Sequence, residues 1–456
     1  MMKKTISLIT AALLSAVSLG GCTQQTMPDA DHPVTLTMWH VYGSQTKSPL
    51  NDTVDIFNET IGRETGVTIN VVSVTSSSAI DKALAAAAKG EPSADHLPDL
   101  FTAYPRVAEI VGTDNLLCWS DYFSEEELAL YREEFLAEGR FDNDLLMLPI
   151  AKSSEALFLN RTLFDRFAAD TGASTEDLAT FAGFFETANL YYKWSDGLNF
   201  TQINDFYNYA YIGMKSYDSE LIIQGKLNLN DPAFASIWEP LSKAAIYGGI
   251  CLDDGYAASR WKTGEIISNI GSTADILYQP EMVFYPDNTT ESITSAALPY
   301  PTFHTEQPAV VHRGGGLFAV KSEDDRKNYA AYIFAKWLTQ PENNLPFVTS
   351  AGYLPVTDAA FSALFADTSI AEKESCRDLY DMMSHMLQSH TLHALPLYSN
   401  ASQLQSRFEQ NVKLVLKTTH NRYIERVSAG EDPQALLQEL AAASLAELKQ
   451  LSEKDM

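Results

Sequence analysis

The sequence predicts an α/β protein of two lobes, and three observations carry that reading. From Val34 to the helix opening at Pro105, short apolar strands alternate with helical patterns in the order β-α-β-α-β, which implies a parallel sheet. Further on, the polar string Lys152-Ser153-Ser154-Glu155 separates apolar runs at 146–150 and 156–159, as a crossover between lobes requires. Finally, 456 residues with 45% hydrophobic content, 21 Tyr and 22 Phe are too many for one ordinary core and suit two.

The N-terminus has a separate purpose. Lys3 and Lys4 precede an uncharged run of Ile6, Leu8, Ile9, residues 11–14, Ala16, Val17 and Leu19. Thr5, Ser7, Thr10, Ser15 and Ser18 dilute a stretch already shorter than the roughly 20 apolar residues of a spanning helix. This is the pattern of an export signal. Its ending, Leu19-Gly20-Gly21-Cys22, resembles the bacterial lipobox, whose cysteine becomes the lipidated first residue of the mature protein. Residues 1–22 are therefore expected to be a lipoprotein signal with a lipidated Cys22, and residues 23–32 a tether. Diacylation plus amide acylation supplies the two or more chains that stable anchoring needs. The expected location is extracytoplasmic, on the outer face of the cell membrane or in the periplasm. The plainer alternative is a secreted protein with an incidental cysteine.

Residues 34–39 alternate Val34, Leu36 and Met38 against Thr35 and Thr37, which is strand periodicity. Ser48-Pro49 then offers an N-cap and an N1 proline, with Leu50, Val54, Phe57 and Ile61 at helical spacing and Gly66 after the pattern breaks. A strand at 67–74, an alanine-rich helix at 80–89 and a strand at 97–103 follow. Ligand-facing residues of such a sheet lie at the carboxyl ends of its strands, which places Trp39, His40, Tyr42 and Tyr104 at the rim. Residues 160–256 read as mostly helical. Residues 309–320 form a strand broken by Arg313-Gly314-Gly315-Gly316. A helix at 329–338 ends before Gln340-Pro341, and the chain beyond Pro355 reads as helical to the end. Asp432-Pro433 opens a last amphipathic helix with Leu436, Leu440, Leu448 and Leu451 inward.

The charge excludes several partners. With 32 Lys+Arg against 59 Asp+Glu the net charge is −27, more negative still once Lys3 and Lys4 are removed. Such a surface repels nucleic acid and anionic headgroups, so contact with the membrane is expected through the lipid anchor only. Besides Cys22, only Cys118, Cys251 and Cys376 are present; spacing fixes no pairing, and no CxxC or Cys/His cluster marks a metal or cofactor site.

Four blocks in order resemble the family 1 extracellular solute-binding proteins, the sugar-type receptors of ABC importers. These are Leu36-Thr37-Met38-Trp39-His40 with Ile56-Phe57-Asn58; Leu148-Pro149-Ile150 with Leu157-Phe158-Leu159-Asn160-Arg161-Thr162-Leu163-Phe164; Trp261-Lys262-Thr263-Gly264-Glu265 with Gly271-Ser272-Thr273; and Lys336-Trp337-Leu338-Thr339-Gln340-Pro341-Glu342 with Ser350-Ala351-Gly352-Tyr353-Leu354-Pro355-Val356. The resemblance implies a periplasmic-binding-protein-like fold of type II. Residues 33–149 and 305–345 would form one lobe, and 150–304 and 346–456 the other, with ligand held in the cleft between them. Closure of such lobes around ligand is a general property of periplasmic binding proteins. The implied partners are a carbohydrate and the transmembrane subunits of an ABC permease, and the receptor is expected to be a monomer without enzymatic activity or cofactor.

Sugars require aromatic faces and a few placed donors and acceptors. At the matching positions the resemblance implies Trp39, His40, Tyr42 and Tyr104 from the first lobe, and Ser153 and Ser154 from the crossover. Trp261 and Ser272 come from the second lobe, and Gly314, Gly315 and Tyr353 complete the cleft. Turn capping is the plainer role for the serines, hinge packing for Tyr353 and core packing for Trp261. Tyr207, Tyr209 and Tyr398 are additional candidate walls.

Two other ligand classes can be weighed. His312-Arg313-Gly314-Gly315-Gly316 has the makings of an anion nest and resembles the glycerol-3-phosphate-binding branch of the family. However, Leu397-Tyr398-Ser399-Asn400 lacks that branch's arginine, Arg407 follows several residues later, and Pro105 stands where the branch carries an acid. A neutral saccharide is preferred, with a phosphorylated polyol as the alternative. A glycoside hydrolase would need paired carboxylates; Glu155 and Asp275 are candidates that lie in no catalytic motif. His385, His390 and His393 lie close in sequence, but the first two fall on different helical faces, which disfavours a metal receptor.

Overall fold

The computed structural model describes residues 27–42, 48–74, 77–396 and 400–454. Cys22, the signal and Tyr398 lie outside the described residues.

The first sheet forms as the periodicity predicts. In β1 (Val34–His40), Val34, Leu36 and Met38 are buried while Thr35 and Thr37 face out. The helix α1 (Pro49–Glu59) starts where Ser48 accepts a hydrogen bond from the Asn51 amide, and it buries Leu50, Val54 and Phe57. Gly66, with φ +71°, turns the chain into β2 (Val67–Ser73), which runs parallel to β1 along its whole length. After α2 (Ser77–Ala88) comes β3 (Leu100–Ala103), parallel to β1 on its other edge.

The second sheet is mixed and is built on β4 (Ser153–Asn160), whose eight residues are all buried. Of the polar string that sequence reading places between two strands, Ser153, Ser154 and Glu155 open this one strand and Lys152 just precedes it, while the 146–150 run makes only an isolated bridge at Leu148. The 201–203 segment, in a region expected to be mostly helical, forms the short strand β5 (Thr201–Ile203). It leads into α3 (Phe206–Ser216), while α4 (Pro232–Tyr247) packs behind it. β6 (Ser268–Ser272) pairs antiparallel with β4 and parallel with β5, and β7 (Ser295–Leu298) pairs antiparallel with β4. β8 (Ala309–Arg313) pairs with Ser153 and Ser154 of β4 and, on its other edge, with β10 (Thr391–His393).

From β8 the chain passes through Gly314 and Gly315 into β9 (Gly316–Ala319), which closes the edge of the first sheet against β3. The switch between sheets thus falls at 314–315; residues 309–313, expected in the first lobe, pair within the second sheet. The helices α5 (Asp325–Thr339) and α6 (Pro341–Thr349) pack on the first sheet and on α1. The long C-terminal pair α7 (Ala401–Ser428) and α8 (Pro433–Lys454) buttresses the second sheet through α4, with Trp238 donating to Ser444 at 3.0 Å. Leu436, Leu440 and Leu448 are buried as their spacing predicts. Cys118, Cys251 and Cys376 are free thiols.

The connections between the sheets meet at one side chain. Lys152 is fully buried, and its ammonium donates to Glu138 of the first lobe and, at 3.1 Å, to the Gly314 carbonyl of the return crossover. Its backbone pairs in both directions with Leu354. His312 Nδ1 lies 3.0 Å from the other Glu138 oxygen. Burial alone would raise the Glu138 carboxyl, but the Lys152 ammonium and the contact with His312 outweigh it and hold the group below its ordinary value. Asn344 adds a bond to the Ile150 carbonyl at 2.8 Å.

Removing one partner of a buried pair leaves the other charge uncompensated, typically at a cost of 3–5 kcal/mol. Lys152→Met is therefore expected to lose about that much stability in urea unfolding, with Lys152→Met/Glu138→Gln recovering a large part of it. An equal loss in both variants would contradict the pairing.

Candidate functional site

The carboxyl ends of the strands converge where the chain switches sheets, the position at which open α/β sheets bind ligands. From the first lobe come Tyr42, after β1, and Tyr104, after β3. The tyrosine pair Tyr42 and Tyr353 meets edge to face at 5.2 Å, and Arg106 lies 4.7 Å over the Tyr104 ring while its guanidinium pairs with Asp81. Gly315 fits because a Cβ there would stand 2.3 Å from the Ala103 carbonyl oxygen. A side chain would force the crossover away from β3.

From the second lobe come polar groups held on short connections. Glu155, in β4, accepts from Arg313 Nη1 and from Asn208 Nδ2, both at 2.8 Å. Asp205 caps α3 by accepting from the Asn208 amide and lies 3.8 Å from Arg313 Nη2. Asn204 donates to Asp275 at 2.9 Å, and the two side chains occupy the space over Gly271 that a Cβ would fill. Gln202 braces Asn204 at 3.2 Å and the Gly255 carbonyl at 3.0 Å.

These groups share one electrostatic neighbourhood with the tyrosines. Burial opposes the charge on Arg313, but Tyr104, Glu155, Asp205 and Asp275 together hold it firmly protonated. Burial pushes the Glu155 carboxyl up to about 7 against the pull of Arg313, and Asp275 up to about 6 against Arg313 and Asn204. The Tyr353 hydroxyl is raised by burial and then by Tyr42, Tyr104, Tyr278 and Asp275. Tyr278 is 50% exposed and Tyr256 80% exposed.

The sequence profile of the bacterial extracellular solute-binding proteins matches residues 52–373. The chain belongs to that family. Solved structures of similar fold include the cyclic α-maltosyl-1,6-maltose binding protein of Arthrobacter globiformis, at 16% identity and a TM-score of 0.62, covering 92% of this chain and 100% of that one. UgpB of Mycobacterium tuberculosis, solved with glycerophosphocholine, matches at 17% identity and 0.65 over 91% and 99%. Maltose-bound T. maritima MalE3 matches at 14% and 0.63 over 91% and 99%. No curated protein sequence matches the chain. Among the described residues, no helix is long and apolar enough to cross a membrane.

In this solute-binding protein the sequence-derived candidates separate into two groups. Tyr104, Ser272, Gly314, Gly315 and Tyr353 are partly exposed along the cleft, with the buried Tyr42 behind Tyr353. Trp39 packs among Ile80, Leu84 and Phe101, and Trp261 is fully buried in the core. His40 is likewise buried: its Nε2 is 2.7 Å from Asn51 Oδ1 and its Nδ1 accepts from the Tyr42 amide, so it positions the β1 turn. Ser154 donates to the Val311 carbonyl, and Ser153 lies beside the Arg313 carbonyl, both within the β4–β8 pairing. Ser272 accepts from the Ala274 amide. Tyr207 and Tyr209 are core residues, the latter donating to the Ile237 carbonyl.

Sequence reading did not find Asn204, Asp205, Asn208, Tyr256 or Tyr278. The first three follow β5, and the signal for them was a three-residue strand within a helix-rich stretch. Glu155 and Asp275, considered only as hydrolase carboxylates, sit in the cleft beside Arg313.

Carboxyl groups whose values rise on folding bind protons more tightly in the native state, so they add stability at low pH that fades as pH rises from about 4.5 towards 7. The ligand-free protein is expected to melt at progressively lower temperature between pH 5 and 8, and Glu155→Gln should flatten that slope. Identical slopes in the two proteins would show that Glu155 does not titrate there.

Proposed function

We propose that this protein is the substrate-binding lipoprotein of an ABC importer. It captures a carbohydrate between its lobes and delivers it to the transmembrane permease, anchored at the outer face of the membrane by lipidated Cys22. Family membership supports capture over turnover, and the several similar structures whose ligands are oligosaccharides support the ligand class. A monomer that performs no catalysis is sufficient for this role.

The observation that carries the carbohydrate reading is the state of Arg313. As a phosphate anchor it would need to stand free, yet Glu155 and Asp205 already neutralise it, and Asp275 adds further negative charge. A phosphoryl group would meet carboxylates where it requires cations. Hydroxyl groups instead find acceptors in these carboxylates and stacking faces in Tyr104, Tyr278 and Tyr353.

Thermal melting against mono-, di- and oligosaccharides, polyols and glycerol phosphates tests this. A saccharide at 100 times its Kd should add about 2.7 kcal/mol of stability. Tyr104→Ala should weaken that binding about tenfold or more, by loss of a stacking face, with its own melting little changed. A shift produced only by phosphorylated ligands would overturn the carbohydrate reading, and turnover of the sugar would overturn the receptor reading.

A further inference from the structure

Among the described residues, the carboxyl groups around Arg313 outnumber the cations, and they come from separate elements. Glu155 lies in β4, Asp205 at the start of α3, Asp275 after β6, and Glu409 in α7. Arg313 serves Glu155 and Asp205 together. Glu409 accepts from the Tyr207 amide, and burial together with the nearby Asp205 raises its carboxyl well above the ordinary value. Lys413, on the same helix and attracting Glu409, is paired with Asp254 at 3.0 Å. Asp275 has a neutral amide, Asn204, as its hydrogen-bond partner.

A second observation is independent of charge. Asn208 is 1% exposed and bonded to Glu155 in the cluster, yet its Oδ1 has no donor among the described residues. Gln202, 8% exposed and joined to Asp275 through Asn204, likewise has an Oε1 without a donor among them. Both unmatched groups are acceptors. A buried acceptor without a donor is costly, so the site calls for hydrogen-bond donors, and its charge calls for a cation. Tyr278 lies within electrostatic reach of Asp275 and of Tyr256, and both tyrosines present exposed rings, which attract cations to their faces.

We infer that the cleft takes a carbohydrate carrying a basic nitrogen, its ammonium seated at Asp275 beside the rings of Tyr278 and Tyr256. This rests on the carbohydrate reading above and narrows it. A neutral sugar supplies donors but leaves the carboxyl excess unbalanced, whereas an ammonium supplies both. Glu155, pushed up to about 7, faces Arg313, Asp205, Asn208 and Tyr300 and stays paired with Arg313. Asp275, pushed up to about 6, faces Arg313, Asn204, Tyr278 and Tyr353, and below about pH 6 a proton takes the cation's place there. In that range an arriving ammonium displaces the proton from Asp275 to the solvent.

Isothermal titration of saccharide pairs that differ only by amine against hydroxyl tests this. Glucosamine against glucose, galactosamine against galactose, and their linked oligomers would be run in buffers of different ionisation enthalpy. The amine member of the bound pair should bind about tenfold more tightly, gain affinity between pH 5 and 7, and release protons. Asp275→Asn should bring the pair together, and Tyr278→Leu, at a half-exposed ring, should reduce the preference. If hydroxyl members bind as well as amines in every bound pair, or no proton is released, the inference fails and the carbohydrate reading stands. An unchanged preference in both variants overturns the assigned seat. If no member of any pair binds, both readings fall.

Discussion

A single buried ammonium organises this molecule. Lys152 ties the outgoing crossover through its ammonium to Gly314 of the return crossover and to Glu138 in the first lobe, and through its backbone to Leu354 on the third segment. Buried ion pairs contribute little net stability, because desolvation consumes most of the Coulombic gain. Their value here is geometric. An apolar side chain would fill the same volume yet leave the Gly314 carbonyl without a donor, and the turn carrying Arg313 without a fixed position. The cleft therefore inherits its geometry from a group that does not face it.

The position of Arg313 follows from that arrangement. It is the last residue of β8, paired opposite Ser153, so its guanidinium emerges where Glu155, Asp205 and Asp275 converge. Because Gly315 lies against the Ala103 carbonyl, the crossover returns to the first sheet close beside Tyr104. Polar chemistry from one sheet thus faces aromatic chemistry from the other. The glycine-rich string is a spacer between sheets, and the arginine beside it is already committed to carboxylates.

Much of the fold was legible because it rests on local rules. The alternation in β1, the Ser48-Pro49 helix start, the turn at Gly66 and the leucine spacing of α8 each depend on residues within a few positions of one another. β5 and β10, three residues each, were not legible, since their strand character comes from β6 and β8 beside them. The site divides in the same way. Tyr104 and Tyr353 are partly exposed beyond the strand ends where motif position puts them, whereas Tyr42, expected at the rim, is buried against Tyr353. Trp39 and Trp261 carry the same aromatic signal but face inward, which sequence spacing alone does not separate from facing the cleft. Asn204, Asp205 and Asp275 gain their meaning only when the sheet assembles them around Arg313.

Gathering the crossovers at Lys152 also sets a lever. Rotation of one lobe against the other pivots where the fixed points lie, so displacement grows with distance from that place. Arg313 and Gly314, bonded at that place, therefore travel little with either lobe. The charges around Arg313 form a floor whose geometry is preset by the crossovers and not by the solute that arrives there.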